Sequence, residues 1–307
     1  MRDRMFYRSF SSYLRERFGE KVYRISLDAG FTCPNRDGKI GTGGCAYCSP
    51  SGSWKGGGMR LPLHEQVLQG KRIIGNRYGA NKYIAYFQAY TNTYAPVDTL
   101  KKIYDSVVLS DSDFVGISIG TRPDCIDEQK LELISSYRRL GLEVWIEYGL
   151  QSANDATLRL INRGHSVEDF SGAVLLTKHY DIMVGAHVIV GLPREKRDDV
   201  IRTARFVESL PVDGIKIHNL NIVQGTKIAE MYRKGELVPL ELEEYAGLAV
   251  DFLEHTRPDV IVARLVAESD PQTLIEPRWS LDKQRALDAI KRAFEMRKSY
   301  QGKLVSH

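Results

Sequence analysis

Cysteine is scarce in this chain: there are four in 307 residues, and three of them, Cys33, Cys45 and Cys48, crowd into sixteen positions. Long apolar runs are missing as well, and nothing approaches the roughly 18 to 20 residues that cross a bilayer. The opening stretch, Met1-Arg-Asp-Arg-Met-Phe-Tyr-Arg, has no apolar core of the kind an export signal carries. A disulfide persists in an oxidising compartment, so the expectation is a cytoplasmic protein with reduced thiols. There is no internal repeat, no low-complexity tract and no Pro/Gly linker long enough to separate independent domains. Charge of one sign is not in large excess, with 43 Lys and Arg against 39 Asp and Glu, a net of +4. With 43% hydrophobic and 27% charged residues, the chain reads as one large globular enzyme-sized unit able to bury a sizeable core.

What is present is the cysteine segment itself, Cys33-Pro-Asn-Arg-Asp-Gly-Lys-Ile-Gly-Thr-Gly-Gly-Cys45-Ala-Tyr-Cys48. Its glycines, Gly38, Gly41, Gly43 and Gly44, let the backbone close tightly around a bulky group. A 4Fe-4S cluster takes one thiolate on each iron when fully protein-ligated, so three local thiolates leave one iron open to something that is not protein. Two other readings stand beside this one: a structural zinc site completed by His64, and inert thiols. Zinc sites usually show two matched ligand pairs, and only the Cys45/Cys48 pair is present here.

The rest of the chain alternates strand and helix patterns. Strands are predicted at Val22 to Ala29, Tyr83 to Gln88, Phe114 to Ile119, Val144 to Leu150, Met183 to Val190 and Gly214 to Leu220. Helices are predicted at Leu63 to Tyr78, Val97 to Leu109, Asp127 to Leu140, Val167 to Tyr180 and Asp198 to Leu210. Strand followed by helix at intervals of roughly 30 residues implies parallel strands with right-handed crossovers. An open doubly wound sheet has the same periodicity as a partial barrel. After the sixth strand come helical stretches, Thr226 to Lys234, Leu240 to His255 and Leu281 to Tyr300, around a short apolar run at Val260 to Val266.

With Tyr47 just before the third cysteine, the cysteine segment resembles that of the radical S-adenosylmethionine (SAM) enzymes, in the variant with a stretched first cysteine spacing found in the elongator-like group. Thr121-Arg-Pro-Asp124, Glu147-Tyr-Gly-Leu-Gln151-Ser152, Asn162-Arg-Gly-His165 and His187-Val-Ile-Val-Gly-Leu-Pro193 resemble the successive strand-end motifs of that group. More narrowly, Cys33-Pro-Asn-Arg-Asp37, His218, Gly225-Thr226 and Pro277-Arg-Trp279 with Lys283 resemble the bacterial YhcC/YtqA type. The resemblance implies an α/β fold: a partial (β/α)6 TIM-like barrel over residues 1–235, with a helical C-terminal extension, residues 236–307, packed on it.

It also implies a 4Fe-4S cluster on Cys33, Cys45 and Cys48, SAM on the open iron, and reductive cleavage to a 5'-deoxyadenosyl radical that abstracts hydrogen from an unactivated carbon. By motif, Gln151 is similar to a glutamine touching the SAM ribose and Arg163 to an arginine meeting its carboxylate, with Tyr47, Ser152 and His187 also on the cofactor side. A helix C-terminus before Gly164 would favour Arg163 in any case. Departures from the pattern are Phe87-Gln88-Ala89-Tyr90-Thr91-Asn92 in place of a glycine motif, Gly120 in place of glutamate, and His187 in place of aspartate. The electron would come from a reductant such as flavodoxin or ferredoxin.

Substrate class is implied only by resemblance: tRNA, at the wobble uridine. Two regions are basic. Arg2, Arg4, Arg8, Arg15, Arg17 and Lys21 are interleaved with Phe6, Tyr7, Phe10 and Tyr13, and Lys283, Arg285, Lys291, Arg292, Arg297, Lys298 and Lys303 lie near the other end. Such patches suit RNA phosphates and stacked bases, or are the solvated faces of amphipathic helices. No RNA-binding module, acetyltransferase or methylthiolation domain is recognisable. A small metabolite or a protein side chain therefore stays open as substrate, as does a non-catalytic iron-sulfur protein for electron transfer or sensing. Of single residues, Cys125 reads as a radical-facing thiol or as packing, and Tyr90 to Tyr94 as a base-contacting loop or as aromatic packing. His218 and Asn219 read as ligand contacts at the barrel mouth or as structural groups, and Glu147 as a partner for Arg122.

Overall fold

The computed structural model describes residues 6–49 and 61–305; Arg2 and Arg4 of the N-terminal basic stretch lie outside them. Its frame is a seven-stranded sheet, all neighbours parallel, in the order β1 (Val22–Leu27), β2 (Lys82–Phe87), β3 (Phe114–Thr121), β4 (Glu143–Gln151), β5 (Met183–Val190), β6 (Gly214–Asn219) and β8 (Ile261–Arg264). Two short strands, β7 (Ile222–Val223) and β9 (Leu274–Glu276), pair separately and antiparallel. The helices are α1 (Phe10–Phe18), α2 (Leu63–Tyr78), α3 (Val97–Val108), α4 (Glu128–Ser136), α5 (Asp155–Leu160), α6 (Val167–Lys178), α7 (Arg197–Glu208), α8 (Lys227–Arg233), α9 (Leu242–Glu254) and α10 (Lys283–Arg297).

The alternation within each strand explains the two faces. Ile25, Leu27, Ala85, Phe87, Ile117, Ile119, Val144, Ile146, Val184, Ala186, Ile215 and Ile217 point outward into one apolar core with the helices. The intervening residues, among them Arg24, Tyr86, Ser118, Glu147, His187 and Lys216, point to the other side. That other side is concave. In a flat sheet β2 and β6, four strand spacings apart, would be separated by roughly 19 Å. Lys216 Nζ on β6 nevertheless donates to the Tyr86 hydroxyl on β2 at 2.9 Å, and Arg24 on β1 pairs with Glu147 on β4 at 2.9 Å. The sheet is therefore curled into an open parallel barrel, in agreement with the partial-barrel expectation.

Two details differ from the sequence reading. The apolar run after the sixth strand contributes a seventh, β8, because Gly214, Ile215 and Lys216 pair in parallel with Ile261, Val262 and Arg264. The N-terminal aromatics pack inside the molecule. Phe10 and Tyr13 of α1 meet Trp145 edge-on at 5.7 and 6.1 Å, at the N-terminal end of the barrel, and Phe6 stacks on Phe294 of α10 at 5.2 Å. Ser9 bridges to Val262, so α1 spans the gap between the two edge strands at that end. These rings are committed to packing and do not stand ready to stack on bases. No helix among the described residues is long and apolar enough to cross a membrane.

Candidate functional site

Strand ends gather the motifs on one rim, the C-terminal face where parallel barrels carry their sites. The cysteine loop follows β1 and is folded by its own backbone. Arg36 N and Asp37 N donate to the Cys33 carbonyl at 2.8 and 3.2 Å, Gly44 N to Asn35 O at 2.8 Å, and Cys48 N to Cys45 O at 2.9 Å. The glycines are needed where contacts are closest: a Cβ at Gly41 would stand 2.5 Å from Asn35 Oδ1, and one at Gly44, whose φ is +77°, would stand 2.9 Å from Arg36 Nε. The loop is then tied to the turn after α5. Asn35 Nδ2 donates to Asn162 O at 2.6 Å, Asn162 Nδ2 to Gly44 O at 2.8 Å, and Ala46 N to Ile161 O at 2.8 Å.

All four cysteines are free thiols; Cys45 and Cys125 are buried, Cys33 and Cys48 half-buried. Arg163 lies against Cys45, its Nη1 3.5 Å from Sγ, while its Nη2 donates to Gly149 O at 2.9 Å. Burial works against the Cys45 thiolate, but the Arg163 guanidinium, helped by Arg122 and a hydrogen bond from Tyr47, holds the thiol below its usual value. Burial pushes the Cys48 thiol up, with Arg36 opposing it. Arg122 is fixed by a two-pronged pair with Asp124, 2.8 Å on each side, and donates to Arg163 O at 2.8 Å. Among the described residues Arg163 is thus a buried cation with no carboxylate of its own, and its Nε has no hydrogen-bond partner. A site so built suits an anionic, thiolate-ligated group. Among the described residues no three metal-ligating side chains converge as a single ion would need, and His64, on α2, is exposed and beside Glu65.

Gly149 is the hinge of this arrangement. A Cβ there would lie 2.4 Å from Gln151 Nε2 and 2.5 Å from Arg163 Nη2. Its carbonyl, which already accepts from Arg163, also faces His165 Nε2 at 2.9 Å. Burial and the neighbouring Arg163 push His165 down to about 3, which keeps the ring neutral between the Gly149 and Ser166 carbonyls, the latter 3.0 Å from Nδ1. Gln151, at the end of β4, is held at φ +75° where the pairing with β5 skips a residue. A side chain in left-handed backbone is costly and concentrates at functional positions.

The remaining predicted residues fall in several places. Tyr47 packs beside the cysteines against the apolar cluster that contains Leu158, Ile161 and Leu220. The Ser152 hydroxyl donates to Glu195 and accepts from Asn154 N at 3.1 Å, which ties the β4 loop to the one after β5. His187 is in the lumen, its Nε2 2.9 Å from Glu147 Oε2 and its ring stacked on His218 at 5.4 Å. Burial and Lys216 push His187 down to about 4. Glu147 does not hold Arg122. It is ringed by Arg24, Lys216 and His187, and although burial opposes its charge, Arg24 and Lys216 keep the carboxyl well below its ordinary range. Asn219 is engaged with Asn221 and with Ala267 N. Thr91, Asn92 and Thr93 are buried connectors between loops, Asn92 reaching Gly120 O and Thr93 reaching Thr121 and Cys125 O. Cys125 is pushed up to about 12 by burial and by Asp124, which makes it a packed, protonated thiol.

The barrel, the free-thiol triad on its rim and the buried guanidinium beside it can be set against known proteins. The sequence pattern of the Radical SAM superfamily matches residues 36–207, and that of the Radical_SAM C-terminal domain matches residues 212–296. The chain belongs to the radical SAM superfamily. It is 41% identical to the uncharacterized protein YtqA of Bacillus subtilis (strain 168) over 97% of this chain and 92% of YtqA. It is 40% identical to protein YhcC of Escherichia coli (strain K12) over 88% and 86%. A tRNA uridine(34) acetyltransferase of Dehalococcoides mccartyi (strain CBDB1) is 27% identical over 50% of this chain and 33% of its own length. Among solved structures, an archaeal Elp3 from Methanocaldococcus infernus superposes with a TM-score of 0.68 at 18% identity, covering 91% of this chain and 64% of that one. Methylornithine synthase (PylB) does so at 0.53 and 12%, covering 95% and 86%. Both likenesses are of fold.

Sequence reasoning missed Asn35 as the pin of the loop and Arg36 as the cation beside Cys48. It also missed Arg24, Lys216 and Arg264 in the lumen. A signal for the last three existed: each is a lone charge at a lumen-facing position of a strand whose other face is apolar.

Proposed function

We propose that this protein is a radical SAM enzyme that carries a 4Fe-4S cluster on Cys33, Cys45 and Cys48 and acts on tRNA, at the wobble uridine. The observation that carries the first part is the Cys45 thiol held toward its anionic form by a buried guanidinium that has no carboxylate partner. When bound, the cluster and SAM would supply reductive carbon-sulfur cleavage and a 5'-deoxyadenosyl radical. The chain's own residues do the positioning. Arg163 neutralises anionic charge beside Cys45 and, through its unpartnered Nε, offers a donor to a carboxylate. Gly149 gives it room, Arg122 and His165 fix the turn that bears it, and Gln151 is presented at the strand end by its left-handed backbone. An external reductant such as flavodoxin or ferredoxin provides the electron.

The tRNA part is supported by the partial likeness to a tRNA uridine(34) acetyltransferase and by the basic helix α10 with its exposed Lys291 and Arg292, followed by the exposed Lys298. It is tested by nucleoside mass spectrometry of bulk tRNA from cells with and without this gene. Loss of one modified uridine with accumulation of its precursor is the expected result; an unchanged nucleoside profile would exclude tRNA as substrate.

A further inference from the structure

The lumen of the half-barrel contains more positive charge than the cofactor site explains. At its floor, Glu147 is 2% exposed and shared by Arg24 at 2.9 Å, by Lys216 and by His187 at 2.9 Å. Both oxygens of that one carboxylate are taken. Arg264 faces the same space: its Cα partners Lys216 across the β6/β8 ladder, so the two side chains share a face. Its guanidinium is close enough to help depress both His187 and His218, and among the described residues it has no carboxylate and no hydrogen-bond partner. One pleat above Lys216, His218 places its Nε2 in the same region, and that buried nitrogen also has no partner.

Toward the rim the lumen wall includes small residues. The lumen-facing positions toward the rim include Ser26 on β1 and Gly120 on β3, and Ser26 is exposed although it lies inside a strand. Solvent therefore reaches the lumen wall at Ser26 on β1, the strand that leads into the cysteine loop, above a cationic floor. A half-buried guanidinium and a buried ring nitrogen without partners are costly unless something binds them.

We propose that Arg264 and His218 form a subsite for a singly charged oxyanion of the substrate, a carboxylate or a phosphodiester, which anchors the substrate in the lumen with its remainder directed toward the cysteine loop. Arg24 and Lys216 are both engaged with Glu147 and Arg264 is not, so a singly charged group suits the one guanidinium that is unengaged. A planar fork of donors suits either group. The inference rests on the radical SAM reading for its purpose, but the subsite is a binding property and can be measured apart from it.

The test is saturation-transfer NMR at fixed ionic strength on the cluster-loaded protein, with two methyl-bearing probes, acetate for a carboxylate and dimethyl phosphate for a phosphodiester. Saturable transfer to at least one probe is expected, weakened about tenfold or more in Arg264→Gln and partly retained in Arg264→Lys. Preference for acetate assigns a carboxylate-bearing substrate, and preference for dimethyl phosphate assigns a nucleic-acid backbone. If Arg264→Gln fails to fold, His218→Phe keeps the ring, removes Nε2 and carries the same expectation of weaker binding. Absence of saturable binding in the wild type, or equal binding by wild type and the folded variants, would overturn the subsite. Failure of the wild type to cleave SAM would instead overturn the radical reading and leave the binding result standing.

Discussion

Replacing Glu147 by Gln removes the carboxylate that Arg24, Lys216 and His187 share in the lumen without changing its size. The side chain is 2% exposed, and its loss of charge leaves Lys216, 4% exposed, and Arg24, 14% exposed, without a counter-ion. Removing one partner of a buried pair costs roughly 3 to 5 kcal/mol, because the remaining charge stays desolvated. The amide still accepts a hydrogen bond from Lys216, so the lower end, about 3 kcal/mol, is expected. That is a large fraction of the roughly 5 to 15 kcal/mol that stabilises a typical domain. The assay is urea unfolding of cluster-free, reduced protein followed by far-UV circular dichroism. The double variant Glu147→Gln/Lys216→Met removes one of the two stranded cations and should regain about 1 kcal/mol or more, a coupling that a double-mutant cycle isolates. A Glu147→Gln protein within about 1 kcal/mol of wild type would refute the reading of this group as the charge balance of the lumen.

Other consequences follow from the same structure. Gly149→Ala sets a Cβ within 2.5 Å of Arg163 Nη2 and should lower the iron and sulfide retained after reconstitution by at least about half, since the guanidinium that faces Cys45 must move; full iron content would count against the role given to Arg163. Asp124→Asn breaks the two-pronged pair with Arg122 and should cost about 2 kcal/mol by urea unfolding. For His187, pushed down to about 4, the unfolded chain binds a proton before the folded one, so stability present above its ordinary value of about 6.5 is lost as pH falls toward about 4. Glu147 stays ionised through that window. His187→Asn should therefore lose less stability than wild type between those two values, by up to about 3 kcal/mol, and parallel losses in the two proteins would contradict this.

The strands with apolar outer faces, β1 to β6, were legible because their helix-facing positions are continuous runs such as Ile25/Leu27 and Ile215/Ile217, each followed by a helix pattern. The strand β8 was not: it is four residues long and lies after two helices, outside the strand-helix rhythm. The helix α1 was read as a basic stretch because its charges dominate the sequence, whereas its structural role belongs to Phe10 and Tyr13, which fill the base of the barrel beside Trp145. The cysteine loop was legible from spacing alone. Glu147's partner was not, because strand curl decides which cations reach it: Arg24 comes from three strands away, whereas Arg122, adjacent in the motif, turns back to Asp124.

The central claim, reductive cleavage of SAM at a cluster on Cys33, Cys45 and Cys48, is tested most directly by anaerobic reconstitution with iron and sulfide. Dithionite and SAM are then added, and 5'-deoxyadenosine is assayed by mass spectrometry beside a Cys45→Ala control. The account predicts 5'-deoxyadenosine from the wild type and none from the variant. A wild type that forms no cluster and no 5'-deoxyadenosine, and holds tightly bound zinc instead, would contradict it.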